Sequence, residues 1–341
     1  MLELAGLGVV AAAFGCGPKP AFVLGAGERL DAETIDRDPI ALLPPGAIML
    51  GSLDLEALYK TPIGGDVNAI VESLVPLGRE SNFVPSRDTR KLVGGVWAMK
   101  GVDLCAVTQG SFDVQAIQRA ADARAQAPSG APLVKTRYAD VDLYTVGNLG
   151  FVLLTPSTML SGNEVGMRRA LDRLRTKKPS REVAPWMIEL FDTPGASFAI
   201  AGDFGAESAV EVDAFGLPRR TPRASARTPV QPVLEAVSKT YPFLAGVRAV
   251  RVLGNFNPPG LNFAGALTYE SEEAALAGSG HLKNLSQLTQ WINLLAAFGV
   301  GASLPPAQLA PNGKDVGGVQ PVDTQFAKMA ISIVARYLRR G

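Results

Sequence analysis

The chain has 341 residues, 47% of them hydrophobic and 19% charged, with a formal net charge of +1. That length suffices for two ordinary domains, and near-neutrality excludes a global field drawing it to nucleic acid or an anionic membrane. A single histidine excludes zinc sites and mechanisms built on several imidazoles.

After Met1-Leu2-Glu3, an uncharged and mostly apolar run from Leu4 to Phe14 ends in Gly15-Cys16. Such a run is too short to span a bilayer and suits a signal-peptide h-region. Small residues leading into a cysteine resemble the lipobox of bacterial lipoproteins. Ala13, Phe14 and Gly15 stand where that family places Leu, a small residue, and Gly or Ala. The resemblance implies a signal peptide over 1–15 and diacylation of Cys16. Gly17 after the cysteine implies delivery to the outer membrane, facing the periplasm or the exterior. Anchoring would come from the acyl chains, each buried CH₂ contributing about 0.8 kcal/mol. Residues 16–44 then read as a lipidated tether, because 17–44 carries four prolines and several acids without a sustained period. That leaves Cys105 alone in GVDLCAV, expected as a buried small apolar residue with no disulfide.

The body opens on a phrase that occurs twice. Pro45-Gly46-Ala47 leads into IMLGSL and Asp54, and Pro194-Gly195-Ala196 leads into SFAIAG and Asp203. Each copy predicts a turn, a buried strand and a polar stop. Self-similarity at fixed spacing marks duplication. The predicted fold class is therefore α+β, in two related halves, each an antiparallel sheet with helices packed on one face. Repeat 1 is placed at 45–185 and repeat 2 at 186–341.

In the first half, Val67, Ile70, Val71, Leu74 and Leu77 share a helical face after a break at Pro62 and Gly64-Gly65. LVGGVWAMK and VDLCAVTQG predict a hairpin around Lys100-Gly101. Asp113 to Ala127 predicts a helix capped by Ser111 or Asp113. VKTRYADVDLYTV and GFVLLTPSTMLSG predict a second hairpin, and Glu164 to Arg175 a helix with a basic outer face.

In the second half, LPRRTPRASARTPVQP predicts an exposed Arg/Pro-rich loop at 216–232. Val233 to Leu244 predicts a helix, and VRAVRVLGNF with LNFAGALTYES a hairpin across Asn257-Pro-Pro-Gly260. NFAGALTYESEEAAL matches DLCAVTQGSFDVQAI in character: a strand, a polar break, an acidic helix start. A long helix follows from Glu272 to Phe298, with a break expected at Gly278 to Gly280. Residues 304–321 predict a Pro/Gly linker. In KMAISIVARYLRR the alternation suits a strand, with a helix as the alternative. The layout also resembles exported bacterial families of unknown function, in which a proline-led strand opens a strand–helix–hairpin unit. That resemblance implies no functional residue.

Chemistry-bearing motifs are absent. There is no G-x-S-x-G, C-x-x-C, H-E-x-x-H or D-x-D-x-D-G pattern. His281 reads as an exposed helix-start residue. Asp140 and Asp142 could share acid–base work on a strand, but a hairpin turn explains them more simply. Asp54 and Asp203 read as helix caps, and the Gly94-Gly95 pair lacks the rest of a phosphate-binding signature. Two basic stretches contain Arg168, Arg169, Arg175, Lys177 and Lys178, then Arg219, Arg220, Arg223 and Arg227. They predict a solvated helix face and a loop, with contact to anionic headgroups as the alternative. No cofactor and no metal are expected. The expected partners are the membrane, through the lipid anchor, and envelope proteins or lipid, without nucleic acid. The functional expectation is a non-enzymatic envelope lipoprotein for binding or scaffolding. Its alternatives are a carrier of a hydrophobic ligand between sheet and helices, and a carboxylate hydrolase.

Overall fold

The structure, a computed structural model, describes residues 21–23, 29–98, 103–124, 126–127, 130–176, 179–205, 211–212, 218–219, 230–258, 260–297 and 307–338. It is an α+β protein built on one large antiparallel sheet. A small hairpin of β1 (Ala21–Val23) and β2 (Arg29–Asp31) precedes α1 (Ala32–Arg37) and α2 (Pro39–Leu42). Then come β3 (Met49–Asp54), α3 (Leu55–Tyr59), α4 (Gly64–Leu74) and α5 (Pro85–Asp88). The hairpin of β4 (Thr89–Ala98) and β5 (Asp103–Gly110) leads into α6 (Val114–Ala123). A meander of β6 (Leu133–Tyr138), β7 (Val141–Val146), β8 (Leu149–Leu153) and β9 (Thr158–Asn163) ends in α7 (Glu164–Thr176).

The second half starts with α8 (Pro185–Phe191) and β10 (Phe198–Asp203). A small pair, β11 (Glu211–Val212) with β12 (Pro218–Arg219), and α9 (Val230–Ser238) lie between β10 and the next hairpin. That hairpin is β13 (Val247–Asn255) with β14 (Gly260–Tyr269), followed by α10 (Glu272–Ala297). The chain then forms β15 (Gln308–Asn312), β16 (Asp315–Asp323) and α11 (Thr324–Leu338).

The twelve strands run in the order β15-β16-β14-β13-β10-β3-β4-β5-β9-β8-β7-β6. Two separate half-sheets were expected. Instead the repeated strands β3 and β10 pair antiparallel in the middle and fuse the halves into one sheet. Each of these strands would otherwise be the edge of its half, and pairing edge to edge satisfies the backbone groups both would leave bare. Gly46 and Gly195 turn the chain into these strands at φ of 79° and 78°, in the left-handed region that favours glycine. The Trp97 indole N–H donates to the Pro45 carbonyl at 3.0 Å and fixes the first of these turns.

Directly paired residues share a face, so the registers divide the sheet into two surfaces. The front carries Leu50, Val93, Cys105, Val107, Leu160 and Ala201, which pack with Ile35 of α1, Leu42 of α2, Leu171 of α7 and Met187 of α8. The back carries Tyr144 and Phe151 under Ile117 and Ala121 of α6. It also carries Val322, Leu261 and Leu53, which pack with Leu55 of α3 and Ala327 of α11, and Tyr269 and Val316 beneath Ala275 of α10. Helices thus cover both faces of the sheet rather than one. The cause is visible in β4 and β9, whose apolar residues do not strictly alternate and need cover on each side.

Other expectations are corrected. From Arg29 onward the expected tether belongs to the body: Ile35, Ile40, Leu42 and Leu43 are each 3% exposed or less. Asp36 holds this segment down by accepting from the Thr155 and Thr158 hydroxyls at 2.5 and 2.6 Å. Arg173, 7% exposed, donates Nη1 to the Ala41 carbonyl at 3.0 Å and to that of Leu43. The expected linker at 304–321 contains β15 and most of β16, and residues 328–338 of KMAISIVARYLRR fall within α11, where Ala327 and Ile331, four apart, meet the core. No break occurs at Gly278–Gly280: α10 runs through, and a Cβ at Gly278 would stand 2.2 Å from the Tyr269 hydroxyl oxygen. Glycine there admits the ring that the helix packs upon.

Candidate functional site

Across the back of the sheet, one row of directly paired residues carries little side-chain volume. It runs Gly318, Gly265, Val252, Ile200, Gly51, Gly94, Ala106, Ser161, from β16 to β9. On one side of it lies the cluster of Leu53, Leu92, Leu261 and Phe263 with α3 and α11. On the other lies the cluster of Val250, Leu267, Tyr269 and Val316 with α10. Between them the row forms the floor of a trough. Ile200 lies on a central strand of twelve and is nevertheless 37% exposed. A Cβ added to Gly51 would have only the Ala199 carbonyl oxygen within 4 Å, at 3.8 Å. Phe198, stacked obliquely on Phe256 at 5.9 Å, lies two residues along β10 from Ile200 on the same face. The floor is apolar but for Ser161 at its end and has no titratable group, so its chemistry is that of accepting hydrocarbon rather than of reaction.

The strand glycines were the available sequence signal, since glycine inside a strand marks close approach of a ligand or another backbone. Gly94-Gly95 falls inside the predicted strand LVGGVWAMK, and Gly317-Gly318 inside the expected linker at 304–321.

The residues singled out by sequence fall elsewhere. Cys16, Lys177, Lys178, Arg220, Arg223 and Arg227 lie outside the described residues, and Arg219 lies on β12. On α7, Arg168 reaches Glu164 at 2.5 Å and lies over the Tyr138 ring at 4.8 Å, while Arg169 pairs with Asp103 at 2.6 Å. Arg175 is half-buried on the same helix. Arg168 and Arg169 thus serve local ion pairs.

Ala139 and Asp140 both adopt positive φ in the β6–β7 turn, and Asp142 pairs with Lys135 at 3.1 Å and Arg137 at 3.6 Å. Those two ion pairs tie Asp142 into the β6–β7 hairpin as a structural residue. Asp54 caps α3 through the Ala57 N–H, and Asp203 accepts from the Gly205 N–H. His281 is exposed inside α10, ten residues in, rather than at a helix start. Cys105 is 1% exposed, and burial pushes its thiol up to about 12. Among the described residues no group of three or more His, Cys, Asp or Glu could hold a metal. A shallow hollow of 450 Å³ at the end of α6, lined by Glu80, Ala120, Ala123, Arg124 and Gln126, is bounded by the Glu80–Arg124 pair.

No described helix is long and apolar enough to cross a membrane. No family model matches the chain, and no curated protein matches it. Among solved structures it is similar to three crystal forms of TP0453. Form I has a TM-score of 0.49 at 10% identity, covering 88% of this chain and 97% of that one. Form IV gives 0.47 at 12%, with 87% and 96% covered, and form III gives 0.47 at 10%, with 88% and 98% covered.

Proposed function

We propose that this protein is a non-catalytic binding module of the bacterial cell envelope, anchored by a lipid on Cys16, which holds an elongated apolar ligand in the trough on the back of the sheet. The observation that carries the reading is the exposure of Ile200 on a central strand, in a row whose next two members are Gly51 and Gly94. A sheet interior left open in water is a standing cost of roughly 25 cal/mol per Å² of apolar surface, which an acyl chain lying in the trough would offset. The scaffold reading, without a ligand, leaves that exposure unexplained.

We further infer that the body is a duplication. The β3–β10 register supports this, because it is symmetric about a pair of residues that hold the same place in the repeated phrase. So does the same succession of strand and helix over the two aligned segments, β5 then α6 and β14 then α10.

The test is mass spectrometry of solvent extracts from purified protein, paired with binding of a fluorescent fatty acid. Wild type should carry or bind hydrocarbon, and Gly51→Phe should lose it while remaining folded. Equal binding by both proteins, or by neither, would sink the ligand reading. The anchor is tested separately by the intact mass of the N-terminus recovered from host membranes. A diacyl or triacyl Cys16 is expected, and an unmodified Cys16 in soluble protein would remove the envelope assignment.

A further inference from the structure

We draw no further inference here: the strongest candidate, the front face of β13, β14 and β16 around the exposed Val319 and Ala264, carries nothing because nothing in the structure shows what covers it.

Discussion

Gly51 and Ile200 stand directly opposite each other where β3 meets β10, and the pairing is symmetric about them. Each is the sixth residue after the proline of its own copy of the repeated phrase. On either side Leu50 pairs with Ala201 and Ser52 with Ala199, then Met49 with Gly202 and Leu53 with Phe198. Reversing the two strands exchanges each pair for its counterpart. The seam therefore has the geometry of an isologous interface, the kind two identical subunits form, carried inside one chain.

The trough predicts an unequal response along neighbouring strands. Leu50→Ala, at 1% exposure in the front core, should cost about 2–5 kcal/mol. Ile200→Ala, partly solvated already, should cost about 1 kcal/mol or less in ligand-free protein. Urea unfolding of both variants checks the contrast; equal losses would mean that Ile200 is packed after all.

Two glycines in one helix should respond with opposite sign. Gly280→Ala meets nothing within 4 Å and should stabilise by about 0.5–1 kcal/mol through helix propensity. Gly278→Ala brings a methyl against the buried Tyr269 ring, whose hydroxyl donates to the Phe243 carbonyl at 2.8 Å. That variant should lose about 1–3 kcal/mol from overpacking. Thermal melts of the pair settle the matter, and stabilisation by both would refute the packing account.

Arg173→Met should destabilise by about 3–5 kcal/mol, because it strips buried carbonyls of their donor and leaves Glu182 without this cation. Arg173→Lys should recover only part of this, since one ammonium cannot reproduce a planar fork reaching the carbonyls of Ala41, Leu43 and Ser180. Limited proteolysis offers a second readout, with cleavage in 29–44 expected to rise in both variants.

Alkali should weaken the fold in a defined window. Burial pushes the phenols of Tyr144 and Tyr269 from 10.0 up to about 12, so the folded state holds their protons more tightly than the unfolded chain does. Stability from these groups is fully present below pH 10 and is lost as pH rises through about 12. Phenolate absorbance should show Tyr144 and Tyr269 ionising late, coincident with unfolding. Six phenols titrating together near 10 in folded protein would contradict it.

Much of the local structure was legible because local signals dominate there. The repeated phrase, the caps at Asp54 and Asp113, and the β4–β5 and β13–β14 hairpins all depend on residues close in sequence. What escaped depends on distant partners. Residues 29–44 look like a tether because their polar groups find Thr155, Thr158, Arg173 and Arg181 more than a hundred residues later. β16 looks like a linker because Gly317, Gly318 and Pro321 are poor strand formers, yet they pair with Ala266, Gly265 and Asn262. The trough is legible only in part for the same reason: strand glycines mark it, but its floor takes one residue from each of eight strands, and no one strand carries the whole pattern.

The seam also shapes how the molecule is made. Ser52 and Ala199 meet across about 150 residues of chain, whereas β4 with β5 and β13 with β14 close over short turns. Local pairing is fast and distant closure slow, so each half can assemble while β3 and β10 still wait as bare edges. Two chains caught at that stage can close each other's seam as readily as their own, because the register is the same either way. Refolding at high concentration should therefore yield exchanged dimers that dilution before folding prevents.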